Sequence, residues 1–181
     1  MPDQQPTPPD VPPASGRAYA VVDIDGVLAD VRHRLRHVER RPKDWDAFFA
    51  AAAGDPPFAE GLAVARRLAS EHEVVYLSGR PERLRHTTER WLARHDAPSG
   101  PLHLRRDGDR RPARQVKLGV VRRLAAAAPV AVVVDDDPEV CAAVKAAGFS
   151  VFQASWAFVD GTDDNGAKRT LREAQEGDGR T

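Results

Sequence analysis

The chain has little cysteine and no long apolar run. Its single cysteine, Cys141, cannot form an internal disulfide bond. No apolar stretch approaches the roughly 18 residues that span a membrane, and the first residues contain no apolar core of the kind that signal peptides carry. These absences argue against a disulfide-rich secreted domain and a membrane protein, so we expect a cytoplasmic protein.

An excess of charge of either sign is also missing. The 181 residues include 27 basic and 27 acidic ones, which gives a formal net charge of zero at pH 7. Such a protein has no global field that would hold it tightly to nucleic acids or membrane surfaces. Only four of the basic residues are lysines, so a lysine near acidic residues is more informative here than an arginine.

Composition divides the chain into a central domain and two polar tails. Residues 1–16 contain six prolines and almost no large apolar side chains, which predicts a disordered tail. Residues 160–181 are rich in Gly, Asp, Arg and Glu; we expect a short peripheral helix at residues 167–175 and a frayed end. Residues 17–159 have the usual size of one domain, roughly 100 to 200 residues.

The central segment alternates short apolar runs with helical periodicity. We predict strands at residues 18–23, 73–78, 102–104, 130–135 and 150–153, with helices between them, the last ending at Gly148. This alternation predicts an α/β fold: a doubly wound, Rossmann-like parallel five-stranded sheet, for which we take the strand order 3-2-1-4-5. Residues 30–58 exceed a plain connection and are predicted to form a small helical insert beside the site, with a helix near residues 44–53.

Polar side chains gather where the predicted strands end. Asp23 and Asp25 follow strand one, and Lys117 lies near the start of the helix before strand four. Strand two is followed by Ser78, Gly79 and Arg80, and strand four by Asp135, Asp136 and Asp137. In this strand order the chain reverses direction between strands one and four, where α/β sheets bind ligands. We therefore predict the active site at that crevice.

Two acids at the end of a buried strand are costly to bury for packing alone, so they suggest catalysis. A carboxylate that attacks a phosphate dianion needs a divalent cation and nearby donors to reduce the repulsion. We assign the attack to Asp23. We assign Mg²⁺, which prefers oxygen ligands, to Asp23, the main-chain carbonyl of Asp25 and either Asp135 or Asp136.

The remaining polar residues would bind phosphate and move protons. Ser78 and Lys117 would hold the phosphate oxygens and keep Asp23 ionised. The side chain of Asp25, away from the metal, would protonate the leaving alcohol and then deprotonate the attacking water.

This set of motifs resembles that of the haloacid dehalogenase-like (HAD) phosphatase superfamily over residues 18–157. The DxDG motif followed by Val-Leu spans residues 23–28, the strand-end serine is Ser78, the lysine is Lys117 and the acidic pair is Asp135-Asp136. The resemblance implies a nucleophilic first aspartate and a second aspartate that acts as general acid and base. An acid at the second position implies phosphatase or phosphomutase chemistry.

A finer resemblance is to the phosphatase domain of bacteriophage-type polynucleotide kinase-phosphatases. It depends on Leu77-Ser78-Gly79-Arg80 and on the run from Gly108-Asp109 through Arg111 to Val116-Lys117. It implies that residues 78–80 contact phosphate or substrate, that Asp109 and Arg111 shape the site wall, and that the substrates are 3′-phosphates of nucleic-acid ends or nucleotides. The chain has no GxxxxGK(S/T) loop, so we expect no kinase domain in it.

Two basic runs lie near the predicted site. The first consists of Arg32, His33, Arg34, Arg36, His37, Arg40 and Arg41. The second consists of Arg105, Arg106, Arg110, Arg111 and Arg114. Such runs are usually solvated faces, yet two of them beside one crevice modestly favour a polyanionic substrate.

Several residues have alternative interpretations. The aspartates after strand one could serve turn or capping chemistry. Ser78 could cap the helix that follows Pro81, and Lys117 could be a solvated helix residue. We expect Asp137 to cap the helix after strand four. The aromatic residues Trp45, Phe48 and Phe49 have helical spacing that favours a packed face over a base-stacking platform, and Cys141 is expected in the core.

Three other functions fit part of this pattern. A 5′-nucleotidase-like phosphatase of small nucleotides or other metabolites would share the chemistry. A response-regulator receiver also uses acids, a Ser or Thr and a lysine around Mg²⁺, but its acidic pair comes first along the chain. A catalytically silent phosphate-binding module would keep the fold without needing the complete set. The oligomeric state is left open by the sequence.

Overall fold

A parallel sheet forms the centre of the molecule. The computed structural model describes residues 16–39 and 41–158. Within them five parallel strands have the order β3-β2-β1-β4-β5, and helices cover both faces, which confirms the predicted α/β fold. The strands are β1 (Tyr19–Val22), β2 (Glu73–Pro81), β3 (Leu102–Arg105), β4 (Val130–Asp135) and β5 (Val151–Gln153).

The strand order separates this fold from that of a receiver. Response-regulator receivers have the order 2-1-3-4-5, with their ligand at the switch point between strands one and three. In the present sheet β1 lies between β2 and β4, so the switch point falls between β1 and β4. This topology argues against the receiver alternative.

Side chains of the central strands alternate between two apolar layers. The helices are α1 (Arg36–Glu39), α2 (Trp45–Ala50), α3 (Ala59–Glu71), α4 (Arg85–Arg94), α5 (Ala113–Ala127) and α6 (Pro138–Ala146). Tyr19 and Val21 pack in a cluster with side chains of α5 and α6, whereas Val22 packs in a cluster with side chains of α3 and α4. Because successive strand residues face opposite sides, the apolar run of β1 is buried on both faces.

The chain between β1 and α3 forms a small helical layer with its own apolar cluster. Short 3-10 turns at Arg32–Arg34 and Ala51–Gly54 flank α1 and α2. The rings of Trp45, Phe48 and Phe49 are buried, with centroids 5.4 to 5.9 Å apart, which confirms the predicted packed face. The predicted helix at residues 44–53 corresponds to α2 and the following 3-10 turn.

Most local predictions agree with the structure. The Asp137 carboxylate caps α6 by accepting a hydrogen bond from the backbone N–H of Glu139 at 2.8 Å. Gly148 follows α6 with φ of +90°, a left-handed conformation that suits glycine at a helix end. Cys141 is buried, as expected.

The end of β2 differs from its predicted position at residue 78. The strand continues to Pro81, with a register shift against β3 between Ser78 and Pro81. As a result, Arg80 lies in a strand with its side chain fully buried, instead of in an exposed loop.

The predictions for the two tails lie outside the described residues, apart from Gly16. The domain boundaries therefore remain predictions. Among the described helices, none is long and apolar enough to cross a membrane.

Candidate active site

The carboxyl ends of β1 and β4 bring three acidic side chains to one lysine. Lys117 of α5 donates hydrogen bonds from Nζ to Oδ2 of Asp23 and to Oδ2 of Asp135, each 2.7 Å long. The side chains of these three residues are almost completely buried. Asp136 completes this group, which we call the lysine cluster: Asp23, Lys117, Asp135 and Asp136.

Backbone hydrogen bonds fix the two carboxylates that contact the lysine. Oδ1 of Asp23 accepts from the N–H of Ile24 at 2.7 Å, while the N–H of Asp23 donates to the carbonyl of Val134 in β4 at 2.9 Å. Oδ1 of Asp135 accepts from the N–H of Asp137 at 3.0 Å. Each carboxylate is therefore held on one oxygen by backbone and on the other by Lys117.

The lysine cluster carries more negative than positive charge. Burial, followed by repulsion from Asp135 and Asp136, raises the pKa of Asp23 well above its usual value, and Lys117 only partly opposes this effect. Burial would lower the pKa of Lys117, but attraction to Asp135 and Asp23 outweighs it and raises that pKa. With all three acids ionised, the protonated lysine leaves a net charge of −2, which a divalent cation would balance.

The same carboxylates fit a magnesium ion. Asp23, Asp135 and Asp136 each place an oxygen within 4.8 Å of the others, and a set of hard oxygen ligands suits Mg²⁺. Gly26 makes room for this arrangement, because a Cβ there would lie 2.3 Å from Oδ2 of Asp136. Its φ of +82° is also a conformation that other residues rarely adopt.

On the other side of β1, two arginines bridge two carboxylates. Arg34 and Arg80 both donate to Oδ1 of Asp25, at 2.9 and 2.6 Å from their Nη2 atoms. The same Nη2 atoms donate to Oδ2 of Asp55, at 2.9 and 2.7 Å. We call these four residues the arginine cluster. Arg34, Asp55 and Arg80 have completely buried side chains, whereas that of Asp25 is 22% exposed.

The arginines control the charge state of Asp25. Burial alone would raise the pKa of Asp25, but attraction to Arg34 and Arg80 and their hydrogen bonds lower it below its usual range. Asp25 is therefore a carboxylate at neutral pH in this arrangement.

The other predicted site residues take different positions. Ser78 is buried, and its Oγ accepts a hydrogen bond from the N–H of Arg80 at 3.3 Å. The 3-10 helix that follows Pro81 has no side-chain cap, so the helix-cap alternative for Ser78 is wrong. Gly79 has open space where a Cβ would lie. The predicted substrate contact by Arg80 stays a prediction, because its guanidinium contacts Asp25, Asp55 and Thr88.

Asp109 and Arg111 form an ion pair with each other. Nη2 of Arg111 lies 2.6 Å from Oδ2 of Asp109, and the arginine side chain is 63% exposed. Arg105, which is buried, donates from Nη1 to the backbone carbonyls of both residues, at 3.1 and 2.8 Å. These contacts fix the loop after β3, and the predicted role of the pair in the site wall remains to be tested.

The basic runs are partly neutralised by nearby acids. Arg32 pairs with Asp30 at 2.6 Å, and Arg114 pairs with Glu139 at 2.8 Å. Arg34, which the sequence placed in a solvated run, is completely buried. That interpretation is wrong for Arg34, because its guanidinium is held by Asp25 and Asp55 and lies 4.3 Å from the centre of the Phe48 ring.

Two residues of the arginine cluster were therefore missed by sequence reasoning. Arg34 was hidden among other basic residues, and nothing local distinguishes it from its neighbours. Asp55 offered a weak signal, since it is an isolated acid between an alanine-rich turn and two prolines.

Sequence comparison identifies the family. The family described as the polynucleotide kinase PNKP phosphatase domain, a HAD family, matches residues 17–157. No curated protein matches the sequence.

Structural comparison finds the same fold in distant proteins. A chain of the Pnkp1/Rnl/Hen1 RNA repair complex superposes with a TM-score of 0.65 and 22% identity, over 79% of this chain and 44% of that one. A haloacid dehalogenase-like hydrolase from Streptococcus pneumoniae superposes with a TM-score of 0.53 and 10% identity, over 85% of this chain and 92% of that one. A putative β-phosphoglucomutase from Thermotoga maritima superposes with a TM-score of 0.51 and 16% identity, over 87% of this chain and 91% of that one.

These structural likenesses establish the fold only, and this chain spans less than half the length of the matched chain from the RNA repair complex. The family match, by contrast, covers most of the sequence, including all the residues of both clusters. The chain therefore belongs to the polynucleotide kinase PNKP phosphatase-domain family of the HAD superfamily, and it is a HAD-type phosphatase domain.

Proposed function

We propose that the protein is a Mg²⁺-dependent phosphomonoesterase that forms an aspartyl-phosphate on Asp23. The observation that carries this proposal is the lysine cluster, in which Lys117 contacts the Asp23 carboxylate at 2.7 Å. A lysine that stays protonated favours the ionised form of the adjacent Asp23 against the effect of burial, and it can also attract the phosphate. Both properties are needed by a carboxylate nucleophile.

The residues of the site can divide the metal-binding task. Both oxygens of Asp135 accept hydrogen bonds, from Lys117 and from the N–H of Asp137. Asp23 is held in the same way, and we assign Mg²⁺ to Asp23, the main-chain carbonyl of Asp25 and either Asp135 or Asp136. Bound Mg²⁺ would supply positive charge that stabilises the phosphoryl oxygens.

The reaction would proceed in two displacements. Asp25, a carboxylate in this arrangement, first takes up a proton from solvent. A carboxylate oxygen of Asp23 then attacks phosphorus as the bond to the leaving oxygen breaks, and the protonated Asp25 gives its proton to that oxygen. Asp25, now a carboxylate, removes a proton from water, which attacks phosphorus and releases Asp23. Ser78 and Lys117 would donate hydrogen bonds to the phosphoryl oxygens in both steps.

The substrates we propose are 3′-phosphates of nucleic-acid ends or nucleotides. The family match supports this class, as do the sequence motifs at residues 77–80 and 108–117. A phosphatase of small nucleotides or other metabolites is the second candidate, because the basic runs are partly paired with acids of the same chain and offer less positive charge to a phosphate backbone.

A substrate panel tests the proposal. Phosphate release with MgCl₂ is measured for 3′-phosphorylated oligonucleotides, 3′- and 5′-nucleotides and sugar phosphates. The matched variants are Asp23→Asn and Asp46→Asn, whose side chain is exposed and lies outside both clusters. We expect Asp23→Asn to lose at least about 10³-fold in kcat, and Asp46→Asn to remain active.

Different outcomes would contradict different parts of the proposal. Undiminished turnover by Asp23→Asn would exclude the aspartyl-phosphate. A preference for sugar phosphates would exclude the nucleic-acid substrates and leave the chemistry intact. Retention of label from acetyl phosphate without turnover would favour a phosphate-binding module.

A further inference from the structure

Asp55 is a buried carboxylate that the proposed mechanism does not use. It follows the 3-10 turn Ala51–Gly54 and has a completely buried side chain. A carboxylate in that environment is costly unless it is paired and hydrogen-bonded. Asp55 has such partners: Nε and Nη2 of Arg34 at 2.8 and 2.9 Å, Nη2 of Arg80 at 2.7 Å, and Nε2 of His33 at 2.8 Å.

The partners of Asp55 are also the partners of Asp25. One nitrogen of each arginine, Nη2, donates to both carboxylates. Two positive and two negative charges therefore balance within the arginine cluster. Without Asp55, both guanidinium groups would have Asp25 as their remaining carboxylate in the cluster, and only the Thr88 hydroxyl at Arg80 and the Phe48 ring at Arg34 would help to position them.

The backbone around Asp55 is itself tied to the loop that carries Asp25. The indole N–H of Trp91 donates to the Asp55 carbonyl at 2.8 Å. The N–H of Asp30 donates to the carbonyl of Pro56 at 2.8 Å, and the N–H of Phe58 donates to the carbonyl of Leu28 at 2.7 Å. Residues 55–58 thus run along residues 28–30, so that the insert and the catalytic loop hold each other in place.

We propose that Asp55 is a positioning residue for proton transfer by Asp25. By dividing the hydrogen bonds of Arg34 and Arg80 between two carboxylates, it fixes both arginines on Oδ1 of Asp25 and leaves Oδ2 to reach the leaving oxygen. A displaced Asp25 would no longer lie within hydrogen-bond reach of the leaving oxygen, which proton transfer requires. This inference rests on the proposed function, because it assigns Asp55 a part in the same reaction.

The test compares two leaving groups. An alcohol needs a proton to leave, whereas p-nitrophenolate leaves without one, so formation of the aspartyl-phosphate depends strongly on the position of Asp25 only for the alcohol. Because hydrolysis of the aspartyl-phosphate is common to both substrates and also uses Asp25, the comparison is made on kcat/KM, which covers the steps up to departure of the leaving group. Values of kcat and KM are measured for wild type, Asp55→Asn, Asp55→Glu and the control Asp46→Asn, with adenosine 3′-monophosphate and with p-nitrophenyl phosphate. Thermal unfolding of each variant is recorded in the same buffer.

We expect Asp55→Asn to lose about 10- to 100-fold in kcat/KM on adenosine 3′-monophosphate, and less than about threefold in kcat/KM on p-nitrophenyl phosphate. Asp55→Glu retains the charge but has a longer side chain, so it should show the same pattern with a smaller loss. Asp46→Asn should match wild type on both substrates.

An equal loss of kcat/KM on both substrates would overturn the positioning role and leave Asp55 as a structural residue. If Asp55→Asn does not fold, the losses on adenosine 3′-monophosphate and on p-nitrophenyl phosphate are compared for Asp55→Glu, with the same interpretation. Absence of wild-type turnover on both substrates would instead contradict the proposed function, so the two failures are distinguishable.

Discussion

The lysine cluster and the arginine cluster lie on either side of the loop after β1, and they differ in charge balance. The lysine cluster has three carboxylates and one cation, whereas the arginine cluster has two of each. A buried excess of negative charge is unfavourable unless a cation joins it, which is the property of a metal site. A balanced network needs no additional ion and instead fixes the positions of its members.

The two clusters also differ in how the chain builds them. Asp23, Lys117 and Asp135 come from β1, α5 and β4, elements that the central sheet holds together. Arg34 and Asp55 come from the insert between β1 and α3, and Arg80 from the end of β2. The arginine cluster therefore depends on the docking of the insert, which should make it the more sensitive of the two to the loss of one partner.

Removing Arg34 should produce the largest effect on stability. Arg34→Met keeps an unbranched apolar stem but removes the guanidinium, which lies 4.3 Å from the centre of the Phe48 ring. It leaves Asp25 and Asp55 with one guanidinium between them. Removing one member of a buried ion pair typically costs about 3–5 kcal/mol. We expect the free energy of unfolding, measured in urea, to fall by that amount.

The neighbouring Arg32→Met is the matched control. Arg32 pairs with Asp30 near the surface, and its side chain is 39% exposed, so its loss should cost less than about 1 kcal/mol. Equal destabilisation by the two variants would mean that the arginine cluster stabilises the fold no more than a surface ion pair does. That result would contradict the role of a buried, charge-balanced network that we assign to it.

The lysine cluster was predictable from the sequence for a topological reason. Parallel strands place their carboxyl ends at one edge of the sheet, so acids after strands one and four must meet once the strand order is known. Asp23 and Asp135 are predicted to meet in this way, and in the structure both accept hydrogen bonds from Lys117 of α5 at 2.7 Å. The alternation of apolar runs and helical periodicity predicts a parallel sheet, whereas the order 3-2-1-4-5 is an assumption, which the structure confirms.

The arginine cluster could not be predicted in the same way. Its members Arg34 and Asp55 are 21 residues apart in an insert that lacks a repeating pattern, and only the tertiary packing of that insert brings them together. The end of β2 was missed for a related reason. Gly79 and Pro81 normally interrupt strands, yet Arg80 between them is drawn inward by Asp25 and Asp55.

Replacing Lys117 tests the charge imbalance of the other cluster. Lys117→Met leaves three carboxylates without their cation and removes a proposed phosphate donor. Loss of one such donor typically lowers kcat by about 10²- to 10³-fold. We also expect MgCl₂ to raise the melting temperature of Lys117→Met more than that of wild type, because the site then carries one more uncompensated negative charge and binds the cation more tightly.

Lys145→Met is the matched control for this experiment, since Lys145 lies on α6 outside both clusters. Its activity and its response to MgCl₂ should equal those of wild type. An identical MgCl₂ shift in Lys117→Met and wild type would contradict a cation site at the lysine cluster, even if activity were lost.

The smallest effect is expected at the exposed pair of Asp109 and Arg111, which shows what an ion pair contributes without deep burial. The hydrogen bond from the Arg111 side chain lowers the pKa of Asp109 from 3.8 to about 2. A lowered pKa means that the charged form favours the folded state, so this stabilisation is complete above about pH 4 and is lost as the pH falls toward 2. Because Arg111 is 63% exposed, the contribution should be less than about 1 kcal/mol.

In urea unfolding, Asp109→Asn should therefore be slightly less stable than wild type at pH 6, and the difference should shrink at pH 3. A difference that stays constant between the two pH values would show that Asp109 stabilises the loop through its shape instead of its charge.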